Sequence, residues 1–133
     1  MLPAVLLRQN RVDEARAAAK NVSPSPTWFK PLLQACLKPV SSQEMMRLAE
    51  AARPQLLGMR DPEFRYYQAA IMSYCGQQEL AAEMIQSSIR QHYCAHAALY
   101  SDPLLKNLRA TTYFPTLVEQ AKQCQYAVFA GGQ

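Results

Sequence analysis

Glycine is scarce in this chain, four in 133 residues, and no segment is of low complexity. With half the residues hydrophobic, these features exclude a disordered, linker-like or collagenous chain. No apolar run approaches the roughly 20 residues that span a bilayer. The apolar start, Met1 to Leu7, lacks the basic flank and small-residue cleavage site of a signal peptide. There is no glycine-rich phosphate loop and no run alternating with a period of two, so nucleotide cradles and strands are not expected. The four cysteines (Cys36, Cys75, Cys94, Cys124) form no Cys-x-x-Cys pair. Their even number permits two disulfides, but a helical domain of this size does not need them, so buried free thiols are the expectation. That state fits a cytoplasmic setting, or a periplasmic one if a parent protein carries a transmembrane segment.

Dense charge of one sign is also missing. Residues 1–60 hold nine Lys/Arg against four Asp/Glu, and residues 61–133 hold five against six. The excess is scattered over Arg8, Arg11, Arg16, Lys20, Lys30 and Lys38, unlike the stripe of a nucleic-acid surface. Neither nucleic acid nor a membrane is an expected partner, and no residue set calls for a cofactor. His92-x-Cys94-x-His96 is the one metal-like spacing, and Cys94, His96 and Asp102 are the one set resembling a thiol nucleophile with its helpers. Neither brings the remaining ligands or an oxyanion motif. A small metal-dependent or thiol hydrolase is therefore the weakest of the functional readings.

What the chain does have is helix punctuation. Pro3 to Gln9 is a short apolar segment, and Val12 to Lys20 places acids first and a base last, as the helix dipole favours. Asn10 between them suits a left-handed turn. The run Ser23-Pro24-Ser25-Pro26-Thr27 breaks the pattern. Thr27 is a candidate cap for a helix from Trp28 to about Leu37, with Trp28, Leu32 and Cys36 on one face, Phe29 and Leu33 beside it, and Pro39 as its stop. Ser41-x-x-Glu44 has the form of a capping box for a helix from Ser42 to about Arg53, lined by Met45, Leu48, Ala49 and Ala52, with Pro54 kinking or ending it. Asp61 then caps a helix opened by Pro62, in which Phe64, Tyr67, Ile71 and Tyr74 form an apolar stripe. Gly76 marks a turn, and Leu80, Ala81, Met84, Ile85, Ser88 and Ile89 share one side of the next helix. A short helix from Tyr93 to Tyr100 follows, then one from Asp102 to about Arg109. A last helix, capped by Thr111 or Thr112, is striped by Phe114, Leu117, Val118, Ala121 and Cys124, with residues 130–133 fraying.

The segments repeat. Gln9–Ala15 aligns with Cys75–Ala81, so that Ala15 and Ala81 stand 66 residues apart, and Ala49 lies between them. Helix pairs recurring near 34 residues resemble the tetratricopeptide repeat. Ala69, Met72, Gly76, Ala81 and Ile85 occupy that family's small, large, turn and second-helix positions. Arg65 and Gln68 stand where it places an aromatic and an aliphatic, and Tyr93 where it places a closing proline. Phe64 and Tyr67 stand one residue earlier, so two registers remain open. The series Asp61-Pro62-Glu63-Phe64, Tyr93-Cys94, Ser101-Asp102-Pro103-Leu104-Leu105 and Phe114-Pro115-Thr116-Leu117 resembles the C-terminal tetratricopeptide segment of multidomain bacterial signalling proteins of Ser/Thr kinase or winged-helix type.

The resemblance implies an all-α superhelix of antiparallel helix pairs in one domain, 1–133. Residues 1–22 are a truncated first repeat, 27–58 a degenerate second, 61–93 the third and 94–130 a C-terminal cap. It implies a non-enzymatic module that binds a protein or peptide, within a longer protein whose reading frame continues upstream of Met1. Self-association through the truncated edge is the alternative. It also implies a concave peptide-binding face made by Glu63, Tyr66, Ala70, Ser73 and Tyr74. The cationic and asparagine positions that clamp a peptide carboxylate in some tetratricopeptide domains are absent, since Tyr66 and Ala70 occupy two of them, which argues against a chaperone-tail receptor.

Overall fold

Three helices of this protein end in one and the same hydrogen-bonded turn. In the computed structural model, which describes residues 2–22, 29–38, 41–131, helix α1 (Leu2–Arg8) leads to α2 (Val12–Ala19). Between them Asn10 takes φ 58°, its N–H donates to the Leu7 carbonyl, and the Arg11 N–H reaches back to Leu6. Helix α5 (Pro62–Tyr74) leads to α6 (Gln78–Arg90) through Gly76 at φ 87°, with Gly76 N–H on Ser73 and Gln77 N–H on Met72. At the end of α6, His92 takes φ 71° and the pattern recurs, His92 to Ile89 and Tyr93 to Ser88. This is the Schellman termination, which satisfies the last carbonyls of a helix by turning one residue left-handed. Asparagine and glycine reach that region most easily. The α1–α2 and α5–α6 turns are displaced by 66 residues at both borders, the same interval that separates Ala15 from Ala81.

The middle segment departs from that period. Helix α3 (Phe29–Cys36) and helix α4 (Ser42–Leu57) do not place their junction at half the interval. The Ser41 Oγ accepts from the Glu44 N–H at 3.1 Å, half of a capping box. The Glu44 carboxylate does not complete it, because Arg47 holds it at 2.6 Å. Pro54 lies inside α4, which continues three residues past it. The candidate breaker and cap at 23–27, Trp28, the stop at Pro39 and the last two residues of the chain lie outside the described residues.

The chain divides into two compact units, Met1–Pro54 and Gln55–Gln133. In the first unit, α1 packs on α2 and α2 on α3, burying Leu6, Leu7, Ala15, Ala19, Phe29, Leu32 and Leu33. The Arg16 Nε donates to the Leu37 carbonyl at 2.7 Å and the Lys30 Nζ to that of Lys20 at 2.8 Å. Ala49, Ala52 and Leu56 of α4 are buried.

In the second unit the α5–α6 hairpin is the centre. Helix α7 (His96–Ser101), the 3-10 turns Pro103–Leu105 and Leu108–Ala110, and helix α8 (Phe114–Gly131) complete it. The expected helix from Asp102 to Arg109 is thus two 3-10 turns. Asp102 Oδ1 caps the first by accepting from the Leu104 N–H at 3.0 Å. Arg109 Nη1 donates to the carbonyls of Leu99 and Asp102, both at 3.0 Å, which folds the segment back on α7. Leu104, Leu105 and Leu108 are buried. Leu117 and Ala121 anchor α8, while Phe114, Val118 and Cys124 of its expected stripe are half-buried. Among the described residues there is no strand, and no helix is long and apolar enough to cross a membrane.

The cysteines overturn the free-thiol expectation. Cys94 and Cys124 form a disulfide across 30 residues, and among the described residues no cysteine carries a free thiol. Sequence spacing alone could not reveal this, since α8 must return past the end of α6 before the two side chains meet. Cys124 Sγ also approaches the Ile89 carbonyl at 3.6 Å, close to where α6 ends.

Candidate functional site

Helix α5 carries every residue of the expected peptide-binding face, and its orientation decides what that face offers. Asp61 Oδ1 accepts from the N–H groups of Glu63 at 2.9 Å and Phe64 at 3.3 Å, so the first turn is well capped. Beyond it the helix is turned differently from the aromatic stripe read in the sequence. Phe64 and Tyr67 are 43% and 42% exposed, while Arg65 and Gln68 are buried at 2% and 1%. Of that stripe Ile71 alone is fully buried, and Tyr74 is half-buried. The inward line runs through Arg65, Gln68, Ala69 and Met72, the register set by the small residue. Ala69 faces in at 0% exposure, as do Ala70 of α5 and Ala81 of α6. These small side chains let the two helices approach closely, which bulkier residues at the same positions would prevent.

Burying Arg65 requires compensation, and part of it is visible. Its Nη1 donates to Gln91 Oε1 at 2.7 Å, and Gln91 is the C-cap of α6. The guanidinium therefore meets the negative end of that helix, whose last carbonyls favour a cation. Arg65 Nε and Gln68 Oε1 are buried without a protein hydrogen-bond partner among the described residues. The arginine's long aliphatic stem supplies apolar packing where a hydrophobic residue would otherwise stand.

Of the five expected site residues, Tyr66, Ala70 and Ser73 are buried, Tyr74 is half-buried and Glu63 is exposed. Ser73 Oγ donates to Gln78 Oε1 at 2.8 Å, and the Gln78 amide returns a bond to the Ser73 carbonyl at 2.9 Å. Within this unit α5 packs against both α6 and the 3-10 turn Pro103–Leu105. In this conformation Glu63 and Tyr74 are the two of the five with accessible surface.

The accessible aromatics lie elsewhere on the same helix. Tyr67 Oη donates to Glu63 Oε1 at 2.6 Å, one turn back, which holds the ring in place. That bond, more than any other cause, pushes the Tyr67 phenol up to about 12. Tyr66 packs edge-on to Tyr67 with ring centres 6.1 Å apart and tilts against Tyr93 at 5.5 Å. A second aromatic run, His96–Tyr100–Phe114, joins α7 to α8 through edge-to-face contacts at 5.6 and 5.8 Å. Tyr100, Tyr113 and Tyr126 are also exposed. The sequence leaves two registers open for this helix, and the structure adopts the one anchored on Ala69, with Phe64 and Tyr67 outward.

No protein-family model, curated protein or solved structure matches this chain.

Two shallow grooves mark the second unit. One, of about 280 Å³, runs between α6 and the start of α8 and is walled by Glu79, Glu83, Tyr113 and Thr116 over Ala82 and Leu117. The other, of about 260 Å³, is lined by His96 of α7 and by Lys122, Gln125 and Tyr126 of α8. The sulfur of Cys94 is bonded to Cys124, so in this state it is neither a thiolate ligand nor a nucleophile, and the sets read with His92, His96 and Asp102 lose their central atom. Among the described residues, no three His, Cys, Asp or Glu side chains converge as metal ligands do.

Four of the nine basic residues of the first sixty pair with an acid close by in the sequence. Arg11 pairs with Glu14, Arg16 with Asp13 at 3.1 Å, Arg47 with Glu44 at 2.6 Å and Arg53 with Glu50 at 2.9 Å, each three residues apart. Hydrogen bonds from their arginines hold the Glu14, Glu44 and Glu50 carboxyls below their usual range.

Proposed function

We propose that this chain is a non-enzymatic protein-interaction module of tetratricopeptide-like design, part of a larger bacterial signalling or regulatory protein. The observation that carries the reading is the outward pair Phe64 and Tyr67 on α5, exposed and held over a well-buried hairpin. Large aromatics presented on a rigid helix supply contact area at little entropic cost, and such residues dominate the energy of interfaces. The 66-residue displacement between two hairpins with the same turn supports the repeat reading. So do the buried small residues Ala15, Ala49 and Ala81 at its aligned positions.

The docking face of this proposal is the Glu63–Phe64–Tyr67 stripe, because Tyr66, Ala70 and Ser73 are occupied in packing. Replacing Phe64 and Tyr67 together by alanine should weaken a bound partner by roughly 30-fold or more, the effect of losing about 2 kcal/mol at a hot spot. The measurement is affinity capture from the parent cell followed by titration of the captured protein, with circular dichroism to show unchanged helicity. A partner retained equally by both forms would sink the assignment of this face. Light scattering of the purified chain over a range of concentrations separates this reading from self-association, since a partner-binding module stays monomeric.

The disulfide state supports placement in an oxidising compartment, the periplasmic side of the parent protein, over the cytoplasm. Structural disulfides persist where thiols are not continuously reduced.

A further inference from the structure

The groove between α7 and α8 has a chemistry of its own. It is lined by His96, Lys122, Gln125 and Tyr126, and encloses about 260 Å³. Each of these side chains can donate a hydrogen bond, one is a fixed cation, and no carboxylate is among them. Among the described residues Lys122 has no ion-pair partner. The acid one turn before it, Glu119, accepts from Gln123 at 3.2 Å. A covalent tie lies beside the groove. Cys94 and Cys124, bonded to each other, stand two residues before His96 and between Lys122 and Gln125. The His96 ring rests edge-on against Tyr100 at 5.6 Å. Lys122, Gln125 and Tyr126 are exposed and His96 is half-buried, so the donors are open to an incoming segment.

We infer that this groove receives an acidic segment of a partner protein, with a glutamate or aspartate carboxylate seated between Lys122 and His96 and the neighbouring chain lying along Tyr126. Charge complementarity selects that occupant: a carboxylate meets a cation and several neutral donors, whereas a basic segment meets an unpaired ammonium. The inference rests on the interaction reading but not on the α5 face.

The probe is a capped hexapeptide of alternating glutamate and serine, titrated into the disulfide-intact chain and followed by amide chemical shifts. Shifts concentrated at His96, Lys122, Gln125 and Tyr126, diminishing as sodium chloride is raised, are the expected result. Lys122→Met should weaken the peptide at least five-fold, Lys122→Arg should retain it, and Lys122→Glu should transfer preference to a capped lysine–serine hexapeptide. The Phe64→Ala/Tyr67→Ala variant should bind the glutamate peptide as the native chain does, so that failure at one surface is distinguishable from failure at the other. Equal affinity for the glutamate and lysine peptides, shifts that map elsewhere, or indifference to Lys122→Met overturns the inference. So does a response to inorganic phosphate with none to the peptide.

Discussion

A single phenol shows how closely one residue's chemistry is tied to the turn below it. Tyr67 is exposed, yet its hydroxyl donates to Glu63, and this holds its proton up to about 12 against an ordinary 10.0. The folded state therefore binds that proton more tightly than the unfolded chain. The bond's contribution is present below about pH 10 and lost as pH rises towards about 12. In Glu63→Ala the Tyr67 transition, read from phenolate absorbance against a Tyr67→Phe reference, should fall towards 10. An unmoved transition would show that the Glu63 bond does not govern the phenol. Arg65 teaches a different lesson. Its charge argues for the surface, yet the guanidinium is buried where Gln91 and the end of α6 receive it. No local property of Arg65 announces this, because its acceptor lies 26 residues along the chain.

At the scale of elements, helices and turns were legible and faces were not. The Asp61 cap, the left-handed Asn10 and the Gly76 turn all depend on neighbours within a few residues, and each stands where local chemistry puts it. A one-residue change in register, however, rotates a helix face by about 100°. The aromatic stripe and the Ala69-anchored line on α5 are related by such a step, and local periodicity fits both. Packing against α6 decides between them, since only the small-residue side permits close approach. The helix expected after Asp102 became two 3-10 turns for a similar reason: Arg109 gathers the carbonyls of Leu99 and Asp102 across the intervening loop. The position of α8 depends on a covalent contact. Loss of the Cys94–Cys124 bond, which closes a 30-residue separation, should lower stability by roughly 3–4 kcal/mol on the loop-entropy account. Urea denaturation of the Cys94→Ser/Cys124→Ser variant measures it. A change below about 1 kcal/mol would mean that α8 is held by Leu117 and Ala121 without the bond.

For the molecule as a whole, the cysteines carry the inference about where it works. Cytosolic reductants keep thiols free, so the oxidising compartment proposed above predicts cysteines that stay bonded in the native cell. Denaturing the protein from its native cell in the presence of a maleimide should label none of its four cysteines until a reductant is added. Full labelling without reductant would return it to the cytoplasm. The candidate site divides along the same lines. Glu63 and the aromatic content of α5 could be read from the sequence, whereas the burial of Tyr66, Ala70 and Ser73 could not. The donor-lined groove had no sequence signal, because His96 and Lys122 are neighbours only once α8 has folded back on α7.

The sequence by itself determined that this chain is helical, where most helices start and stop, and that two hairpins share one turn. Those outcomes rest on caps, dihedral preferences and hydrophobic period, all interactions within about one helical turn. Only the tertiary structure decided which side of α5 faces inward, that Cys94 meets Cys124, and which aromatics remain for a partner. Each of those depends on contacts between residues tens of positions apart, for which a single sequence supplies the participants but not the pairing.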